Sequence, residues 1–306
     1  MLTLPAVNVS KKNTCIIICG PTASGKTNAA IQVAQHFNTQ IISADSRQCY
    51  KELNVAVAKP TNLQLATVPH YFINTLSITQ PFTAADYEKY ALATIQSLFT
   101  NNKVVVMCGG TGLYIKAFCQ GLDDIQQVPE KIRQEIKKQY NTQGLKYLQA
   151  CIKIEDELYG LQGETQNPQR LMRALEVVRA TGKSIINLQL HSKKQRDFNI
   201  IKIALDVPRD TLYNQINTRV DSMISQGLEA EAKLLYPQKN LNALQTVGYN
   251  EMFQYFDNMI TLPQAIHLIK QNTRHYAKRQ VTWFKKEEAI QWLSVAQIIP
   301  FLKNIL

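Results

Sequence analysis

Apolar positions in the first third of the chain come in short unbroken runs separated by amphipathic stretches. Thr14 to Gly20 (TCIIICG) reads as a buried strand and Lys26 to Phe37 as the helix behind it. Gln40 to Ala44 is a second short run, ending at Asp45-Ser46-Arg47-Gln48, and Tyr71 to Ile78 reads as a further edge strand. Thr83 caps a helix through Phe99, with Asp86 at the third helical position as its capping partner. Lys103 to Cys108 (KVVVMC) is the most hydrophobic strand and runs straight into Gly109-Gly110-Thr111-Gly112. Strands alternating with helices in this way are joined by right-handed crossovers and form a parallel sheet with helices on both faces. In such sheets ligands sit beyond the carboxyl ends of the strands. GPTASGKT (20–27), DSRQ (45–48) and GGTG (109–112) all fall at such ends, so one cleft is expected to collect the three.

The texture changes from Gly121 onward. Pro129 to Gln149 reads as a polar helix with charges on most faces, and Pro168 starts another, closed by Gly182. Asn199 to Val207 (NIIKIALDV) returns to strand character and rejoins the sheet, and a helix from Arg209 to Gln226 stops at Gly227. The remainder reads as mostly helical. The expected fold is α/β: a P-loop-containing parallel sheet flanked by helices (residues 1–122 and 199–306), with a small all-helical insertion domain (residues 123–198).

Composition adds little to this picture and charge adds more. With 306 residues, 45% hydrophobic and 19% charged, the chain can bury a sizeable core. The net charge of +11 favours a polyanionic partner, either nucleic acid or an anionic membrane surface, although a merely basic soluble enzyme fits equally. The six cysteines (Cys15, Cys19, Cys49, Cys108, Cys119, Cys151) form no CxxC pair and no cluster with histidine, which points to free thiols in a reducing compartment. Met1 to Thr14 lacks the apolar run of a signal peptide and no stretch reaches transmembrane length, so a cytoplasmic protein without membrane association is expected.

The most specific chemistry lies in Gly20-Pro21-Thr22-Ala23-Ser24-Gly25-Lys26-Thr27. Its backbone N–H groups and the following helix N-terminus form an anion nest, Lys26 adds a point charge, and Thr27 or Ser24 can reach a magnesium ion. The loop alone leaves open what the phosphate is attached to; most such loops hold ATP or GTP. Asp45 suits a base that accepts a proton from an incoming nucleophile, or a magnesium ligand through water. Taken alone, a cap or turn aspartate explains it better. Thr111, among three glycines, is either the one hydroxyl beside a closely approaching ligand or an incidental residue of a tight turn.

Thr273 to Lys286 (TRHYAKRQVTWFKK) is basic, and Lys270, Arg274 and Lys278 fall at i, i+4 and i+8 on one helix face. Six cations from Lys270 to Lys286 precede the first acid at Glu287, interleaved with aromatics, a combination that suits RNA. Trp283 and Phe284 read as core residues, whereas the absence of acidic partners assigns the cations to a polyanion. Arg170 and Arg173, in Gln169-Arg170-Leu171-Met172-Arg173, can hold phosphates or a base edge, or simply form a solvated face.

Together these motifs resemble the tRNA dimethylallyltransferase (tRNA isopentenyltransferase) family, bacterial type. The likeness runs in order along almost the whole chain: GPTASGKT (20–27), DSRQCYKEL (45–53), AKPT (58–61), VPHY (68–71), GGTGLYIKA (109–117), NPQRLMRALEVVRATGK (167–183), LDVPRDTLYNQINTRVDSMISQGLEAE (205–231), VGYNE (247–251) and TRHYAKRQVTWF (273–284). The resemblance implies transfer of a dimethylallyl group from dimethylallyl diphosphate to the exocyclic N6 amine of the adenine 3′-adjacent to the anticodon in tRNA, with Mg²⁺ and without consumption of ATP. It implies that the loop at 20–27 grips the diphosphate, that Lys26 and Arg219 neutralise it, and that Asp45 is the base. Thr111 matches the threonine beside the reacting centre and the target nucleotide, which must be flipped from its stack. Ser46, Arg47, Gln48, Gln169, Arg170, Leu171, Met172, Arg173, Arg274, Lys278 and Arg279 match positions that contact the anticodon stem-loop. A monomer is expected.

Three positions depart from the family pattern. NVAVAKPT has no glycine before AKP, the acidic residue before PQR is Asn167, and the lysine of GYKE is Asn250. The C-terminal zinc-finger extension of eukaryotic members is not found, which resembles the short type. The alternatives are a P-loop small-molecule kinase and a non-catalytic, nucleotide-switched RNA-binding protein.

Overall fold

β1 (Thr14–Cys19) is buried at every position, and its side chains feed two cores in alternation. Cys15, Ile17 and Cys19 pack into one cluster, Ile16 and Ile18 into another. A strand apolar on both faces needs cover on both, which is why the chain supplies helices between its strands. The computed structural model describes residues 12–123, 125, 128–189, 193–287 and 289–306, so all of the Met1–Thr14 segment except its last three residues lies outside the described residues.

The chain divides into two compact units, Met1–Cys119 with Gln195–Leu306, and Gln120–Lys194. In the larger unit β1 is followed by α1 (Lys26–His36), β2 (Ile41–Ser43), α2 (Asn62–Thr67), β3 (His70–Tyr71), α3 (Ala84–Phe99), β4 (Val104–Gly109) and α4 (Gly112–Gln120). After the smaller unit, with α5 (Glu130–Glu155), α6 (Glu157–Gln162), α7 (Pro168–Thr181) and α8 (Ile185–Leu188), come β5 (Asn199–Leu205), α9 (Arg209–Ser225), α10 (Leu228–Leu235), α11 (Tyr249–Phe256), α12 (Leu262–Lys285), β6 (Ile290–Leu293) and α13 (Val295–Ile305).

The sheet is six-stranded and every pairing is parallel, in the order β3-β2-β4-β1-β5-β6. α1 and α13 cover one face, and α3, α4 and α10 to α12 the other. Thr83 and Asp86 form the expected capping box at the start of α3. No helix among the described residues is long and apolar enough to cross a membrane.

The edge strand expected over Tyr71 to Ile78 is shorter than its composition suggests. Phe72 (φ 64°) and Asn74 (φ 53°) turn left-handed directly after β3, and extended pairing cannot continue through such residues. Only a single bridge, Tyr50 to Leu76, follows. The C-terminal part is not wholly helical either: β6 adds a sixth strand beside β5, a four-residue run too short to stand out beside the charged stretch before it.

In the smaller unit, α5 runs past the expected Gln149 to Glu155 and is interrupted at Gly144, whose φ of 73° and ψ of −167° suit glycine best. Ile136, Leu148, Ile152, Leu171, Leu175 and Val177 form its own core. Asn167 caps α7 by accepting the N–H groups of Gln169 (3.0 Å) and Arg170 (3.3 Å), and Gly182 in the left-handed conformation ends it. Asn caps a helix about as well as Asp, so this departure from the family pattern keeps the helix start intact.

Candidate active site at the carboxyl ends of the strands

The register of the parallel strands decides what meets at this edge. Cys19 lies level with Gly109 and with Ala204, and Ser43 with Cys108. The segments that leave β1, β2 and β4 therefore emerge side by side, and a cleft of about 810 Å³ opens above them. Thr22, Ala23, Gly25, Lys26 and Thr27 of the loop line it, together with Asp45, Gln48, Gly109 and Gly110. Thr218, Arg219 and Ser222 of α9 and Tyr276 and Gln280 of α12 complete the wall.

Gly25 sits at the N-cap of α1 with φ 88°, and no side chain caps the helix. The first amides of α1 are thus left for an anion. Ala23 is also left-handed (φ 65°), a local strain of the kind that gathers at ligand-holding loops. Lys26 donates to the Pro21 carbonyl at 2.6 Å. Burial lowers its pKa, with the charge of Arg219 acting in the same direction and that of Asp45 against it. Burial likewise lowers the pKa of Arg219. Two cations crowded into one desolvated place are a site that gains from an anion. Of the two hydroxyls expected to reach magnesium, Thr27 lines the cleft, whereas Ser24 is buried and donates to the Pro21 carbonyl at 2.9 Å.

Asp45 serves as the turn residue the sequence allowed for, and its carboxylate also faces the cleft. Its Oδ1 accepts the N–H groups of Arg47 (2.8 Å) and Gln48 (3.2 Å), which fixes the turn. Among the described residues no donor reaches Oδ2, and the carboxylate lines the cleft. Thr111 lies one layer behind: its Oγ1 accepts the Ser46 N–H at 3.0 Å and donates to Ser46 Oγ at 3.3 Å. Gln48 uses its amide to hold the carbonyls of Val57 (3.2 Å) and Ala58 (3.0 Å), and one Arg47 guanidinium nitrogen donates to the Gln245 carbonyl at 3.4 Å.

The basic face of α12 corrects the sequence reading. Lys270 pairs with Asp221 at 2.6 Å and Arg274 donates to Asn217 at 2.7 Å, both on α9. Two of the three cations on that face therefore fix α12 to α9: the carboxylate that Lys270 lacked along the chain comes from another helix, and Arg274 finds an amide oxygen there. Lys278 and Arg279 remain exposed, Arg279 over the ring of Tyr276 at 5.7 Å. Phe284 is buried as expected, but Trp283 is 36% exposed, its indole lying where a Cβ on Gly112 would fall.

A second correction concerns α7. Leu171 is fully buried in the core of the smaller unit, so its side chain packs that helix and is no RNA contact. Met172 packs against the same core, Arg173 pairs with Glu176 at 3.2 Å, and Gln169 and Arg170 are exposed. The helix needs an apolar stripe, and within QRLMR that stripe runs through Leu171.

Sequence reasoning missed Gln280 and Lys59. Gln280 is 7% exposed and lines the cleft beside the loop. Lys59 also lines it, and its ammonium holds the Tyr50 carbonyl at 2.6 Å. The partners of Gln280 lie far off along the chain, so no local pattern marks its role, whereas Lys59 stands in the AKPT motif and bonds a carbonyl only nine residues away.

Sheet order, loop and cleft together define an enzyme of the P-loop α/β class. Residues 48–287 match the family described as IPP transferase. Over 293 residues the chain is 45% identical to tRNA dimethylallyltransferase 1 of Phocaeicola vulgatus, covering 96% of this chain and 98% of that one. It is 46% identical over 280 residues to the tRNA dimethylallyltransferase of Christiangramia forsetii, with 92% and 93% covered. The crystal structure of the full-length tRNA isopentenylpyrophosphate transferase of Bacillus halodurans superposes with a TM-score of 0.70 at 32% identity, covering 96% of each chain. The chain belongs to the IPP transferase family and is a transferase; the kinase and nucleotide-switch readings fall away.

Proposed function

We propose that the protein transfers a dimethylallyl group from dimethylallyl diphosphate to the exocyclic N6 amine of the adenine 3′-adjacent to the anticodon in tRNA, giving isopentenyladenosine. The observation that carries the mechanism is the placement of Lys26, Arg219 and Asp45 on one cleft. The bond between the prenyl C1 and the diphosphate oxygen breaks, and its electron pair leaves with pyrophosphate. The amine nitrogen forms the new bond to C1 and gives up a proton. Charge that develops on the leaving group meets Lys26, the loop amides and Arg219 in a partly water-excluded place, where fixed charges act most strongly. Asp45 accepts the amine proton on Oδ2, the oxygen its own turn leaves unused. A carboxylate helps here because the amine lone pair is delocalised into the ring.

Oxygen donors suit magnesium, which binds through few protein ligands plus substrate phosphates, and the Thr27 hydroxyl with Asp45 through water fits that set. When bound, the ion supplies further neutralisation of the diphosphate. The anticodon stem-loop is the RNA partner, with Ser46, Arg47, Gln48, Gln169, Arg170, Met172, Arg173, Arg274, Lys278 and Arg279 as its contacts, and the enzyme acts as a cytoplasmic monomer. Thr111 holds the turn beside the reacting amine.

The reading is tested by incubating the purified protein with unmodified tRNA, Mg²⁺ and dimethylallyl diphosphate, followed by nucleoside mass spectrometry. Isopentenyladenosine is expected with the prenyl donor and absent when ATP replaces it. Unmodified tRNA together with ATP hydrolysis overturns it.

A further inference from the structure

We propose that Gln280 is a positioning residue that locks the phosphate loop to the turn after β4, and so sets the distance between the diphosphate and the groups that act on the amine. The inference rests on the prenyl-transfer reading of this cleft.

Both ends of one buried amide are used. Gln280 Oε1 accepts the Thr22 N–H at 2.7 Å, and Nε2 donates to the Gly110 carbonyl at 2.9 Å. The orientation is fixed by what it meets, a donor on one side and an acceptor on the other, so neither Glu nor a flipped amide can replace it. The two backbone groups lie 258 and 170 residues away along the chain. Thr22 belongs to the loop that ends in Lys26. Gly110 precedes Thr111, whose hydroxyl accepts the Ser46 N–H, and Ser46 follows Asp45. A continuous series of contacts thus runs from the diphosphate side to the base side through the Gln280 amide and the Thr111 hydroxyl.

Gly110 is shaped to the same contact. A Cβ there would fall 2.3 Å from Gln280 Nε2, whereas the nearest atom outside Gln280 is the Gly20 carbonyl oxygen at 3.4 Å. Glycine at 110 is therefore the space that the amide needs. Gln280 also sits one turn beyond Tyr276, which lines the cleft, and next to the exposed Arg279. The position of α12 is in this way tied to the spacing of the reacting groups. Transfer of one carbon between an oxygen and a nitrogen depends on that spacing, since a misplacement of an ångström costs on the order of a hundredfold in rate.

The test is a cycle of Gln280→Met, Gln280→Ala, Gly110→Ala and the double variant Gly110→Ala/Gln280→Ala. It is read by kcat, by KM for each substrate, by calorimetric Kd for inorganic pyrophosphate with Mg²⁺, and by Tm. Gln280→Met is expected to lower kcat by about ten- to a hundredfold, with KM for tRNA within about twofold of wild type. Gly110→Ala is expected to do the same, and to add no further loss once Gln280 is alanine. Wild-type kcat in folded Gln280→Met with a lowered Tm overturns the proposal and leaves a packing role. Additive losses in the double variant overturn it too. If the wild type transfers no prenyl group, the functional reading fails, and the pyrophosphate cycle alone decides the lock: non-additive losses in affinity uphold it, additive ones overturn it.

Discussion

Thr111 Oγ1 accepts the backbone N–H of Ser46 at 3.0 Å, so the turn that leaves β4 holds the turn that leaves β2. The two segments are adjacent because β2 and β4 pair in register, Ser43 with Cys108. Thr111→Ser keeps the acceptor and is expected to retain activity. Thr111→Val strands the Ser46 amide, a loss of roughly 1–3 kcal/mol in the order of the site. Paired measurement of Tm and kcat for the two variants checks this.

Asp45→Asn separates the two roles of that residue. The amide oxygen still accepts the Arg47 and Gln48 N–H groups, so the turn stays in place. The proton acceptor is lost, and kcat is expected to fall by about 10²–10⁴-fold. Pyrophosphate affinity, measured by calorimetry without Mg²⁺, is expected to stay within about twofold, because the phosphate loop itself is untouched. A variant with near-normal kcat removes Asp45 from the mechanism.

Lys26 gives the site a pH dependence with a definite sign. Burial holds its pKa below the ordinary lysine value in the free protein. A bound diphosphate favours the charged form and raises it again. Between the two values binding takes up a proton, so affinity for pyrophosphate falls as the pH rises through the lowered free-state pKa. Titration calorimetry in two buffers of different ionisation enthalpy reads the uptake, and Lys26→Ala is expected to abolish it.

Glu231 on α10 accepts the N–H groups of Asn54, Val55 and Ala56 and the Tyr249 hydroxyl. These contacts, rather than a glycine before AKP, fix the loop that borders the cleft. Glu231→Ala is expected to cost about 1–3 kcal/mol, with faster amide exchange confined first to residues 54–56. Denaturant unfolding together with hydrogen exchange tests it.

Asn167→Asp should leave stability unchanged within about 0.5 kcal/mol, and Asn167→Ala should cost about 1 kcal/mol, both read from thermal unfolding. A large loss for the aspartate variant would show that the cap is not what Asn167 contributes.

The strands, the phosphate loop and the meeting of three loop segments were legible because each has a local cause. Ile16, Ile17 and Ile18 in one run admit only a strand covered on both faces, and Gly25-Lys26-Thr27 after it admits few structures other than an anion nest. Arg170 and Leu171 stand side by side in one motif, yet one is exposed and the other fully buried. A motif match carries no phase of the helix, and only the packed core separates the two. The ion pair between α12 and α9 was hidden for another reason. Lys270 finds Asp221 across 49 residues of chain, and a charge run read along the sequence shows no partner supplied by another helix. Gln280 was hidden in the same way, as both of its contacts are with distant backbone.

The central place of β1 has a consequence for how the chain is made. Its neighbours in the sheet are β4 and β5, so Cys19 ends level with Gly109 and with Ala204. During synthesis β1 keeps an open hydrogen-bonding edge until β5 (Asn199–Leu205) has emerged. The intervening Gln120–Lys194 segment carries its own core and can settle in the meantime. The exposed edge of an apolar strand is a template for wrong pairing. Nascent chains stalled before β5 are thus the form of this protein most in need of a holding chaperone.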